Sequence, residues 1–142
     1  MIYEYNTLYK EADLYLFLKK NFIQDLKPTK STTARHDCYS VIHNLDVELK
    51  CRRSHYDDLI IEKQKYDALM LRSELYENIP VYINSTPKGI WAFYIKNISF
   101  DWSMKSLPKQ TDFGKKFHIK KEIGYLHISQ GVNLITTLNE RQ

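Results

Sequence analysis

The chain has 142 residues, 43% hydrophobic and 13% aromatic, with a formal net charge of +4 and a pI near 8.9. That length suits a single domain spanning 1–142 with its own core, and so much apolar and aromatic content excludes a disordered chain. The mildly basic balance admits a nucleic-acid partner without requiring one. Cys38 and Cys51 lack zinc-knuckle spacing and read as small buried hydrophobes in a reducing compartment.

From about Thr7 to Phe22 the spacing of Leu8, Glu11, Tyr15, Leu18 and Phe22 predicts an amphipathic helix, capped by Asn6 or Thr7. Glu11 lies in line with the apolar stripe, where it is either a first-turn acid favoured by the helix dipole or a functional carboxylate. Lys27 to Thr33 has the composition of a loop. Asp37 to Ile42 and Leu45 to Arg52 then predict a β-hairpin turning at His43-Asn44. If Ile42 pairs with Leu45, Asp37 falls opposite Lys50 and Tyr39 opposite Glu48. Alternation puts Asp37, Tyr39, Val41, Asp46, Glu48 and Lys50 on one face. Cys38, Ser40, Ile42, Leu45, Val47, Leu49 and Cys51 take the other, which is a core face.

Asp57 or Asp58 is expected to cap a second helix running to about Tyr76, with Leu59, Lys63, Tyr66 and Met70 along its inward side. Pro80 opens a strand at Val81–Asn84, and a turn at Thr86–Gly89 leads to a second at Ile90–Lys96. Trp91, Phe93 and Tyr94 read as core and not as a base-stacking platform. A lysine-bearing loop follows, then two short strands at Phe117–Lys120 and Gly124–Ile128. The last dozen residues show only apolar Val132, Leu134, Ile135 and Leu138. Leu14–Leu18 is far too short to span a bilayer, and no cationic segment with a long apolar run stands near the N-terminus, so a soluble cytoplasmic protein with no membrane partner is expected. The order of helix, hairpin, helix, strand, strand suits an α/β sheet sandwiched by helices.

Asp37, Glu48 and Lys50 carry the chemistry. Two carboxylates on adjacent strands can hold a hard cation, which lowers the pKa of a water and polarises a phosphoryl oxygen. The Lys50 ammonium can orient that water or stabilise the pentacovalent state, and the Leu49 carbonyl is a further oxygen donor. Such a set prefers Mg2+ or Mn2+ over zinc. Taken alone, the alternation in Asp46–Lys50 also describes a solvated, salt-bridged strand. Asp46, at the turn end, reads as an outer electrostatic residue or a plain surface acid. Lys30, Arg35, Arg52 and Arg53 flank the hairpin, and six lysines, Lys115 and Lys116 among them, lie between Lys105 and Lys121 against the single acid Asp112. These suit phosphate contacts, or they are ordinary solvated charge. His36, His43 and His55 have no ligand spacing and read as solvated. No P-loop, dinucleotide glycine pattern or nucleophile elbow is present in the sequence.

Asp37 followed by Glu48-Leu49-Lys50, preceded by a helix bearing Glu11 and followed by polar Glu62-Lys63-Gln64, resembles the PD-(D/E)xK nuclease superfamily, especially its small Holliday-junction-resolvase-like and phage members. The resemblance covers about residues 7–96 in element order. It implies a restriction-endonuclease-like fold, a mixed central sheet flanked by helices. Asp37 would be the motif's first aspartate, Glu48 its second acid, Lys50 its lysine, Glu11 the first-helix glutamate, and Lys63 or Gln64 the polar position on the following helix. His36 stands where the family has proline. A Mg2+ or Mn2+ cofactor at Asp37, Glu48 and Leu49, a DNA partner and a homodimer are further implications, with the host cytoplasm as location if the protein is phage-encoded. The expected function is a metal-dependent endonuclease hydrolysing DNA phosphodiester bonds, acting on branched recombination or replication intermediates. A non-catalytic nucleic-acid-binding protein on the same scaffold is the alternative, and an interaction protein with a wet hairpin face the third. The carboxylates favour the first, because a pure binder gains nothing from acids beside phosphates.

Overall fold

The computed structural model describes residues 2–29, 37–110 and 116–141, with Lys109, Gln110, Lys116 and Phe117 as backbone only. Helix α1 spans Glu11–Asn21. Strands β1 (Lys27–Pro28), β2 (Asp37–Ser40) and β3 (Leu45–Cys51) follow, then β4 (Asp58–Glu62) leads into α2 (Lys63–Leu75). β5 (Ile79–Thr86), β6 (Gly89–Tyr94), β7 (Ser103–Gln110), β8 (Lys116–His127), β9 (Val132–Asn133) and α3 (Leu134–Glu140) complete the order.

A mixed sheet of six strands, ordered β1-β2-β3-β5-β6-β9, forms the centre, and β4-β8-β7 make a second, smaller sheet. β3 and β5 run parallel, from Leu45 beside Ile79 to Cys51 beside Ser85. β5 is buried along nearly its whole length, as expected of a strand covered on both faces. On one face Leu14 and Leu18 of α1 and Leu134 of α3 pack on Val47, Leu49, Val81 and Ile83. On the other, Leu69 of α2 and Leu59, Ile61 and Leu126 of the small sheet enclose Trp91 and Phe93. Trp91 and Phe93 are core residues as expected, whereas Tyr94 is exposed. Both cysteines are free, and burial pushes their thiols up to about 12. Among the described residues no helix is long and apolar enough to cross a membrane.

Several boundaries differ from the sequence expectation. α1 begins at Glu11 and not Thr7, because the preceding segment is held by tertiary contacts: the Tyr5 hydroxyl donates to the Thr86 carbonyl at 2.8 Å, and Ser85 Oγ donates to the Leu8 carbonyl at 2.9 Å. The Tyr3 amide donates to Asn139 Oδ1 at 2.7 Å, joining this segment to α3. Leu14, Phe17 and Leu18 are the residues that α1 buries.

The β2–β3 connection is four residues, Val41–Asn44, and not the two-residue turn expected. Asp25 fixes it, accepting from Ser40 Oγ at 2.6 Å and the Ile42 amide at 3.0 Å, and Asn44 takes a φ of 54°. The register is therefore two residues off the expected one, with Asp37 opposite Glu48 and Tyr39 opposite Asp46. A shift of two leaves each paired side chain on its predicted face.

Asp58–Glu62 is a strand where the sequence suggested a helix. Leu59 and Ile61 are buried in alternation and the strand pairs antiparallel with β8, so the helix starts five residues later. The lysine-bearing segment, expected as a loop with short strands, is the long antiparallel β7–β8 ribbon. The C-terminal stretch forms α3, whose N-cap Asn133 accepts from the amides of Ile135 and Thr136 at 3.1 and 3.2 Å.

Candidate active site

The observed register puts two acids side by side. Glu48 is central in the sheet and its side chain is only 8% exposed. Its carboxyl hydrogen-bonds with that of Asp37, and Oε2 is buried with no hydrogen-bond partner. Burial, then the hydrogen bond and the charge of Asp37, push Glu48 up to about 8, against the opposing pull of Lys65 and Arg72. Of the two acids, Glu48 is therefore the one whose neutral form the fold favours.

Arg72, from the last turn of α2, is wedged between acids. Its Nη1 lies 3.4 Å from Asp37 Oδ2 and its Nε 3.2 Å from Asp46 Oδ1. Asn78 Nδ2 donates to the other Asp46 oxygen at 3.0 Å. Of the two expectations for Asp46, the structure fits the outer electrostatic residue and not the plain surface acid. It is 2% exposed, and it anchors the guanidinium that reaches Asp37.

A cleft of about 510 Å3 opens beside Glu48, and Glu11, Leu49 and Lys50 line it as well. Glu11 reaches it as the first residue of α1, one turn before buried Leu14 on the same stripe. Lys50 is exposed at the far end of β3. The structure thus brings together Asp37, Glu48, Leu49, Lys50 and Glu11. Lys63 is not part of this group. Its Nζ lies 2.9 Å from Asp67 Oδ2 and 5.6 Å from the centre of the Trp102 ring, facing a separate groove that also takes Gln64. The helix cation in the cleft is Lys65, with Nζ 3.6 Å from Glu48 Oε1. Lys65, buried Leu69 and Arg72 fall at i, i+4 and i+7 along one stripe of α2, a pattern present in the sequence once the helix start is placed at Lys63.

The flanking cations divide. Arg52 was expected to contact phosphate, but its guanidinium is engaged within the protein: Nε donates to Asn84 Oδ1 at 2.6 Å, and Nη2 to the Ile60 carbonyl and the Tyr82 hydroxyl. It clips β3 to β5 and β4. Arg53 is exposed at the end of the hairpin. Lys30, Arg35 and Lys115 lie outside the described residues, and Lys116 begins β8. His55 is not solvated as expected. Its side chain is 8% exposed, with Nδ1 2.8 Å from Thr86 Oγ1, Nε2 3.1 Å from Asp57 Oδ1, and the ring against Trp91. His43 sits in the exposed hairpin turn, and His36 lies outside the described residues.

The donor set fits a hard cation. Two adjoining carboxyls and a buried oxygen without a partner are what such an ion would satisfy, with the Leu49 carbonyl at the same cleft. Among the described residues no group of three or more acidic, histidine or cysteine side chains is gathered for a metal, so water or substrate would complete the shell.

No family model matches the chain, and no curated protein matches it. Among solved structures it is similar to Archaeoglobus fulgidus Hjc, a Holliday junction resolvase from an archaeal hyperthermophile, with a TM-score of 0.54 over 90% of this chain and 91% of that one. Identity is 12%, so the likeness is one of fold. The architecture is restriction-endonuclease-like, a mixed central sheet flanked by helices.

Proposed function

We propose that the protein is a metal-dependent endonuclease that hydrolyses DNA phosphodiester bonds, with branched recombination or replication intermediates as its substrates. The observation that carries this reading is the Asp37–Glu48 pair, with its buried, unpartnered Oε2, set beside Lys50 and Lys65. The likeness to a resolvase fold supports the choice of branched DNA.

A Mg2+ or Mn2+ held by Asp37, Glu48 and the Leu49 carbonyl would lower the pKa of a water and polarise the scissile phosphoryl oxygen. The rest falls to the chain's own groups. Glu48 would hold such a cation as its carboxylate, the form that the neighbouring Lys65 ammonium favours. Arg72 holds Asp37 against β3. Lys50 reaches the cleft with a mobile ammonium suited to orienting the nucleophile and stabilising charge on the phosphorane. Glu11 lines the same cleft, where it can position water. A homodimer belongs to the same proposal, because a second site supplies the second cut.

One observation favours the alternative of a non-catalytic nucleic-acid binder: Arg72 already places a cation on Asp37. The deciding experiment incubates plasmid and branched DNA with the protein in Mg2+, Mn2+ or EDTA. Metal-dependent cutting that disappears in Asp37→Ala and Lys50→Ala establishes the nuclease. Intact DNA with a salt-sensitive gel shift leaves the binder.

A further inference from the structure

β8 pairs with β4 only from Ile123 to His127. Beyond that point β7 and β8 continue as a two-stranded ribbon, from Met104 opposite Glu122 to Gln110 opposite Lys116, and none of the described side chains of this stretch enters either core. Such a ribbon gains little from hydrophobic burial. Its charge is what distinguishes it. β7 and β8 carry five lysines and one glutamate, a formal +4 that equals the net charge of the whole chain, so everything outside them balances to zero.

The ribbon also borders the cleft, whose lining includes Leu107 and Pro108 of β7 as well as Glu48 and Lys50. β7 is the outer strand of its sheet, and Pro108 in it lacks an amide hydrogen, which disfavours pairing with a strand from another protein. Lys121 is matched by Glu62 at 2.6 Å, whereas Lys105, resting on the Tyr125 ring, and Lys120 are exposed.

We infer that the β7–β8 ribbon is an arm that grips B-form duplex DNA beside the cleft, contacting phosphates through Lys105 and Lys120. The inference rests on the nucleic-acid reading of the site but not on cutting. A two-stranded ribbon fits the wide B-form major groove and not the deep, narrow one of A-form RNA. Charge complementarity and the blocked edge both favour this partner over a protein strand.

The test is fluorescence anisotropy in EDTA with a labelled DNA duplex, the RNA duplex of the same sequence and the single strand, over a salt series. A Lys105→Gln/Lys120→Gln variant is expected to bind the DNA duplex about tenfold or more weakly, with the slope of log affinity against log salt shallower by about 2. Lys105→Arg/Lys120→Arg is expected to keep the wild-type slope, and both variants to keep the wild-type melting curve. An unchanged slope in the Gln variant overturns the arm, as does equal affinity for the RNA duplex or the single strand. If that occurs while DNA is still cut in Mg2+, the arm fails and the nuclease stands. Ribbon-dependent duplex binding without cutting supports the arm and removes the nuclease.

Discussion

Asp37 sits directly across the β2–β3 pair from Glu48, whose side chain is 8% exposed beside the cleft while that of Asp37 is 29% exposed. Two acids so placed repel once both ionise, which makes the pair sensitive to pH and to cations.

Stability without metal should fall as pH rises. Glu48 titrates near 4.5 when unperturbed and near 8 in the fold, so across that window the folded state binds more protons than the unfolded one. The contribution is full below 4.5, is lost progressively up to about 8 and levels off above. Thermal melts in EDTA across this range should show the decline, and Glu48→Gln should flatten it. A Gln variant that declines as steeply as the wild type would show that Glu48 is not the titrating group.

Divalent cations should stabilise the fold most where that proton is already gone. Added Mg2+ or Mn2+ is expected to raise the melting temperature more above pH 8 than near pH 6. At a hundredfold excess over Kd the gain is about 2.7 kcal/mol. Asp37→Asn should abolish the shift, which differential scanning calorimetry would reveal. A shift that persists in that variant would place the ion elsewhere.

Arg72 should matter for folding as well as for the site. Arg72→Met leaves buried Asp46 with only Asn78, and removing one partner of a buried pair costs about 3–5 kcal/mol. Asp46→Asn/Arg72→Met should recover part of that loss in urea denaturation. No recovery would mean that the guanidinium acts through Asp37 alone.

The lysines should separate by position. If the nuclease reading holds, Lys50→Ala is expected to lower single-turnover cleavage by about 100-fold and Lys65→Ala by about tenfold. Lys63→Ala should leave the rate unchanged, since its ammonium is paired with Asp67 outside the cleft. A loss at Lys63 equal to that at Lys65 would refute this assignment.

The sequence reached the Asp37–Glu48–Lys50 face because a strand's period of two tolerates a register error of two. It could not place Lys65 or Arg72. Asp57, Asp58 and Leu59 suit a helix start equally well, and what makes Asp58–Glu62 a strand is β8, some sixty residues on. Arg52 and His55 illustrate the same limit. Arg52 read as a phosphate contact or strand-end charge and His55 as a solvated histidine, and both are drawn inward by partners on β5, Asn84 for one and Thr86 for the other. The ribbon was legible as charge and, in β8, as two short strands, but β7 was not, because its lysines and serines obscured the alternation that burial would otherwise mark.

Tyr3 grips Asn139 across almost the full length of the chain. Tyr3 therefore cannot settle onto its final partner until α3 exists. During synthesis the acidic pair on β2 and β3, built from residues only eleven apart, can assemble well ahead of that closure. The nascent protein would hold its carboxyls together before the ribbon that borders their cleft has been made.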